Sequence, residues 1–140
     1  MSTQYVTFRI ADALYGLEVL RIEETLGHHP RTPVPLAPQG IAGLVNLRGQ
    51  VVMTVDLRPR LGLEQLAGDA ESMMIVVETH GESVSLLVDE VGEVLTLEAD
   101  AFETPPDTLD PRVRELITGA FKLESGLLLT LDVDRALAAV

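Results

Sequence analysis

From Tyr5 to Ile10 the chain alternates, with Val6, Phe8 and Ile10 on one side and Tyr5, Thr7 and Arg9 on the other. A period of two marks a strand with one buried face. Asp12-Ala13 supplies a turn, and Leu14 to Ile22 reads as the next strand, irregular at Gly16. The second half repeats this plan. Met73 to Val77 is a short apolar run, His80-Gly81-Glu82 turns the chain, and Val84 to Val88 returns. Gln50–Val55 and Leu127–Leu131 are also short, apolar and fenced by Gly and Asp. Many short strands between turn residues predict a mainly β fold, built as barrels or a sandwich.

The two halves also match in sequence. Ile41-x-Gly43 is answered by Ile117-x-Gly119, Thr54-x-Asp56 by Thr130-x-Asp132, and Leu61 by Leu137, all at an offset of 76. Upstream, Val19, Ile22, Glu24 and Leu26 match Val88, Val91, Glu93 and Leu95 at an offset of 69. A longer second loop reconciles the offsets, and both loops are Pro-rich: Pro30, Pro33, Pro35 and Pro38 against Pro105, Pro106 and Pro111. The pattern predicts two similar β subdomains joined by the polar stretch Glu64 to Glu71. Asp56 and Asp132 each follow an apolar run and suit the N-cap of a short helix. Pro59 then falls in the first turn of one helix, Gly62 ends it, and Val133 to Ala139 forms the other.

Composition narrows the function. Apolar residues make up 46% of the 140, enough for a real core, and aromatics only 4%, so Val, Leu and Ile must fill it. The net charge of −12 disfavours nucleic acid and anionic membrane surfaces as partners. The absence of cysteine excludes disulfides, thiolate metal sites and Cys nucleophiles. The start lacks the basic and apolar regions of a secretory signal, and no run approaches the length of a membrane span. These features predict a cytoplasmic protein without direct membrane insertion.

Candidate chemistry is sparse. His28-His29 reads as a solvated loop rather than a metal site, and there is no nucleophile elbow, dinucleotide-binding turn or phosphate loop. The acidic pairs Glu23-Glu24 and Asp89-Glu90 show charge but no division into acid and base. Neither catalysis nor a cofactor is expected. Gly43-Leu-Val-Asn-Leu-Arg-Gly49 stands out because it places an Arg at the lip of an apolar strand. Gly49 permits a sharp turn, and Asn46 can tie that turn through its side chain. Arg48 would then offer its fork of donors to a partner's carboxylate or carbonyl. The other reading of Arg48 is an internal salt bridge, with Glu24 as the candidate acid.

The run Ile41-x-Gly43-x-x-Asn46-Leu47-Arg48-Gly49-x-Val51-Val52-x-x-x-Asp56-Leu57-Arg58-x-x-Leu61-Gly62 closely resembles the signature of the CheW family of chemotaxis coupling proteins. Tyr15-Gly16-Leu17-Glu18-Val19 with Ile22 and Glu24 is similar to the family's first motif, and Leu87-Val88-Asp89-x-Val91-x-x-Val94 to its second-half motif. The likeness covers about residues 4 to 137. It implies a single CheW-like domain over residues 1–140, with two pseudo-symmetric five-stranded SH3-like β-barrel subdomains and short helices. Subdomain 1 is expected at about residues 12–70. Subdomain 2 is expected at about residues 71–140 plus the N-terminal strand at 4–11. The resemblance further implies a non-catalytic adaptor that bridges methyl-accepting chemoreceptors, through their cytoplasmic tip, to the regulatory domain of a CheA-type histidine kinase. The alternatives are a CheW-like adaptor of a non-flagellar pathway and a small-ligand-binding β-barrel module. Carried over by position, Ile22, Glu24, Gly43, Asn46 and Arg48 fall on the partner-binding side, and Val88 and Val91 near an inter-barrel groove. This moves Arg48 toward the partner-facing reading. Met53 departs from the pattern: it stands where the family commonly has Pro, a residue that blocks pairing at a sheet edge.

Overall fold

The computed structural model describes residues 1–65 and 71–138. Its strands are β1 (Ser2–Ile10), β2 (Ala13–Glu18), β3 (Ile22–Leu26), β4 (Ile41–Leu47), β5 (Gln50–Asp56), β6 (Met73–Thr79), β7 (Glu82–Val88), β8 (Glu90–Glu98), β9 (Ile117–Leu123) and β10 (Gly126–Leu131). Two short helices, α1 (Pro111–Arg114) and α2 (Val133–Leu137), and three single 3-10 turns complete it. The strands form two five-stranded mixed sheets, ordered β8-β1-β2-β10-β9 and β3-β6-β7-β5-β4.

The duplication is visible in the hydrogen-bond register. β4 and β5 pair Ile41 with Val55 and Gly43 with Thr54 across a bulge, and β9 and β10 pair Ile117 with Leu131 and Gly119 with Thr130 across the same bulge. The backbone N–H of Asp56 donates to Gly40 O at 2.7 Å, and that of Asp132 to Leu116 O at 2.8 Å. Parallel pairing of Met53 with Val84 recurs as Leu129 with Tyr15. The first hairpin turns at Ala11 and the third at His80, both at positive φ.

Sheet membership does not follow a cut near residue 70. The β1–β2 hairpin lies in the sheet of β8, β9 and β10, and the β6–β7 hairpin lies in the sheet of β3, β4 and β5. Each half of the chain therefore lends its first hairpin to the other. The expected strand Leu14 to Ile22 is correspondingly two strands in different sheets, and the 3-10 turn Val19–Arg21 carries the chain across. That turn breaks the period of two and leaves Leu20 95% exposed.

Burial explains why the exchange holds. The largest apolar cluster lies between the sheets: Phe8, Ile10, Tyr15 and Leu17 pack with Val55, Leu57, Ile75, Val77, Leu86 and Val88, and with Leu116, Leu131 and Ala136. Each Val, Leu, Ile or Phe side chain among them contributes about 1.5–3 kcal/mol when fully buried. Each sheet also curls around a small core of its own, Val45, Val52, Met74, Val76 and Leu87 in one and Tyr5, Phe121 and Leu128 in the other. Met53 is not at an edge, because β5 runs between β7 and β4. It packs half-buried against the inter-sheet core.

The two aspartates act as caps in slightly different ways. Asp132 caps α2, accepting from the backbone N–H of Arg135 at 3.1 Å. Asp56 accepts from the backbone N–H of Arg58 at 2.9 Å, at the start of the 3-10 turn Arg58–Leu61, which ends at Gly62 with φ 78°. The joining stretch Glu64 to Glu71 and the end of the expected last helix at Ala139 fall partly outside the described residues.

Candidate functional site

The β4–β5 connection is a two-residue turn with Arg48 at φ 52° and Gly49 at φ 84°. Positive φ at both central positions matches the right-handed twist of the flanking strands. Asn46 fixes the turn: its side-chain oxygen accepts from the backbone N–H of Gly49 at 3.0 Å. Arg48 is thus held at a hairpin tip in a conformation that a non-glycine residue adopts at some cost.

The guanidinium of Arg48 meets Glu24 in a two-pronged ion pair. Nη1 donates to Oε1 at 3.3 Å, and Nη2 donates to Oε2. Glu24 lies on β3 and Arg48 at the end of β4, the opposite edges of one sheet, so the pair spans the mouth of the curl. The arginine side chain stays 76% exposed while the glutamate is only 24% exposed. The hydrogen bond from Arg48 holds the Glu24 carboxyl below the usual glutamate range. Of the two sequence readings, the structure bears out the internal salt bridge with Glu24, and the paired Arg48 side chain still faces water. A hollow of about 250 Å³ opens beside the pair, lined also by Glu23, Leu47, Gln50 and Ser83. Ser83 donates its hydroxyl to Glu23 at 2.6 Å.

The other positions singled out from sequence lie elsewhere. Gly43 is buried in the β4 bulge with φ 133°, where a Cβ would stand 2.7 Å from the carbonyl oxygen of Thr32. Val88 is 1% exposed in the inter-sheet core. Ile22 and Val91 are half-buried against that core, and the backbone N–H of Val91 donates to Met73 Sδ at 3.2 Å. Glu24, Asn46 and Arg48 come together, whereas Gly43 lies in the β4 bulge and Ile22, Val88 and Val91 belong to the inter-sheet core. Sequence reading missed Val51, which is 62% exposed beside the turn although it sits in an apolar run. Its adjacency to the turn residues was the available signal.

A general acid needs a carboxyl pushed upward, and Glu24 is displaced downward. No three metal-ligating side chains cluster among the described residues, and no helix there is long and apolar enough to cross a membrane.

Comparison with known proteins agrees with the fold. The chemotaxis protein CheW of Rhizobium meliloti (strain 1021) is 29% identical over 131 residues, covering 94% of this chain and 84% of that protein. The crystal structure of the scaffolding protein TtCheW from Thermoanaerobacter tengcongensis matches with a TM-score of 0.80 at 30% identity, covering 94% of this chain and 90% of that one. A more distant relative, the protein PilI of Pseudomonas aeruginosa, is 28% identical over 120 residues, covering 85% of this chain and 67% of that protein. The family model described as the CheW-like domain matches residues 4–140. With the two exchanged sheets and the Asn46-Leu47-Arg48-Gly49 turn in place, the chain belongs to the CheW-like domain family.

Proposed function

We propose that this protein is a non-catalytic scaffold of chemosensory signalling that couples the cytoplasmic tips of methyl-accepting chemoreceptors to the regulatory domain of a CheA-type histidine kinase. The observation that carries the reading is the family match over residues 4–140 together with an exposed, geometrically fixed Arg48. In a chain of net charge −12, one cation held at a hairpin tip is a distinctive feature for an acidic partner surface. Glu24 and Asn46 orient it. Val51 offers apolar area beside it. Gly43, Ile22, Val88 and Val91 act by fixing the shape that presents these groups. Such a protein works in the cytoplasm.

The test is reconstitution. Receptor fragments in a membrane-mimetic array, kinase and this protein are mixed, and ATP turnover by the kinase is followed. Receptor-dependent kinase stimulation that needs this protein and falls with Arg48→Glu supports the reading. Full stimulation without the protein would defeat it. The likeness to PilI favours a second reading of the output, a non-flagellar pathway, with the same adaptor chemistry. Deletion of the gene separates the two: one predicts lost swimming bias, the other lost surface motility.

A further inference from the structure

Among the described residues two side-chain ion pairs join the exchanged halves, and they occupy comparable places. Arg58 and Asp134 each lie two residues beyond the capping aspartates Asp56 and Asp132. Arg58 Nη2 donates to Asp89 at 2.7 Å, where the chain crosses from β7 to β8. Arg21 Nη2 donates to Asp134 at 3.1 Å, from the segment that crosses from β2 to β3. Both aspartates are anchored further, Asp89 by the backbone N–H of Ala11 at 2.8 Å and Asp134 by the hydroxyl of Thr79 at 3.0 Å. The polarity is reversed between the two places. The first half of the chain contributes both arginines, Arg21 and Arg58, and the second half both aspartates, Asp89 and Asp134.

That distribution has a consequence for assembly. The halves share one topology, so two first halves from different chains have the backbone pattern to exchange hairpins with each other, as do two second halves. In such an association Arg58 would face the crossing segment that carries Arg21, next to the counterpart of Asp89, and Asp134 would face the crossing segment that carries Asp89. Only a first half with a second half brings opposite charges together at both places. We infer that the Arg58–Asp89 and Arg21–Asp134 pairs select the partner half, favouring pairing of unlike halves and penalising pairing of like halves between copies of this chain. Alternating charges at the flanks of helical coils choose partners by the same physics.

The test uses full-length chains refolded from urea at high concentration and sized by chromatography with light scattering. The double variant Arg21→Asp/Asp134→Arg keeps the second pair within the molecule but gives each half one charge of each sign, so like halves also attract. It should refold with native stability yet form several-fold more dimer than the wild type, roughly fivefold per pair exchanged. The single variant Asp134→Arg sets like charges together within the molecule and should be less stable than the double. An unchanged dimer fraction in a stably folded double variant overturns the inference. So does a double variant no more stable than the single, because the two residues would then not be paired.

Discussion

Replacing Gly43 with alanine forces a Cβ into a place that the backbone has closed. The residue sits at φ 133°, and the new carbon would lie 2.7 Å from Thr32 O and 3.2 Å from Thr32 C. Both are main-chain atoms, so no rotamer change relieves the contact. The strained φ costs of order 1–3 kcal/mol in a non-glycine residue. Relief by displacement would break the reciprocal hydrogen bonds between Thr32 and Leu44, each 2.8 Å long, at about 1 kcal/mol apiece. The sum is about 3–5 kcal/mol, a large part of the stability of a small domain. Urea and thermal unfolding of Gly43→Ala measure it directly, and the melting temperature should fall by roughly 10–17 °C. Gly119 is the matching position, where a Cβ would lie 2.5 Å from Glu103 O and closer still to the movable ring of Phe102; its φ is not positive, so Gly119→Ala should destabilise through the contact alone and by less than Gly43→Ala. At Gly27 an added Cβ would meet nothing within 4 Å, so Gly27→Ala serves as the neutral control. If Gly43→Ala unfolded within about 1 kcal/mol of wild type but lost partner binding, the residue would be a contact and the steric argument would fail.

Arg48→Glu should lower the melting temperature only slightly, because the side chain is largely exposed even though the new carboxylate would face Glu24; unfolding of the variant would assign Arg48 a structural role instead. Glu24 titrates below the usual glutamate range in the folded protein, so its pair with Arg48 stabilises above the unfolded-state pKa and loses that contribution as pH falls through the folded one. Carboxyl NMR of Arg48→Gln should accordingly show the Glu24 midpoint moving up, and an unmoved midpoint would mean that the pair does not persist in solution. Val88→Ala should cost about 2 kcal/mol by leaving a cavity between the sheets, with kinase binding reduced only in proportion to unfolding. Thr54 and Thr130 occupy matching positions, but the Thr54 hydroxyl is buried without a partner among the described residues whereas Thr130 Oγ1 donates to Gly119 O at 3.1 Å. Thr130→Val should therefore destabilise by about 1 kcal/mol and Thr54→Val should not; equal effects in urea titrations would refute the contrast.

The alternation Val6, Phe8, Ile10 announced β1, and the IxG and TxD pairs announced the duplication, because bulge geometry and strand caps depend on a few fixed residue types. The exchange of hairpins was less legible. Leu14 to Ile22 carries no Gly-Pro or Asn-Gly break where the chain leaves one sheet for the other, and the crossing at Val19–Arg21 is set by tertiary packing. Burial was misjudged where local and global demands diverge. Val51 looks like core by composition but is 62% exposed beside a hairpin tip. At the site itself, the turn chemistry of Asn46, Arg48 and Gly49 was readable. The meeting of Glu24 with Arg48 was only one candidate, since it depends on the curl of a sheet whose edges are far apart in strand order.

The most direct measurement is calorimetric titration of this protein into the regulatory domain of the CheA-like kinase from the same cell, with Arg48→Glu and a receptor hairpin tip run alongside. Saturable binding to the kinase domain is the predicted result, with the Arg48→Glu titration weakened toward at least one of the two partners. Absence of heat from either partner, with a sample shown to be folded by its melting transition, would contradict the account.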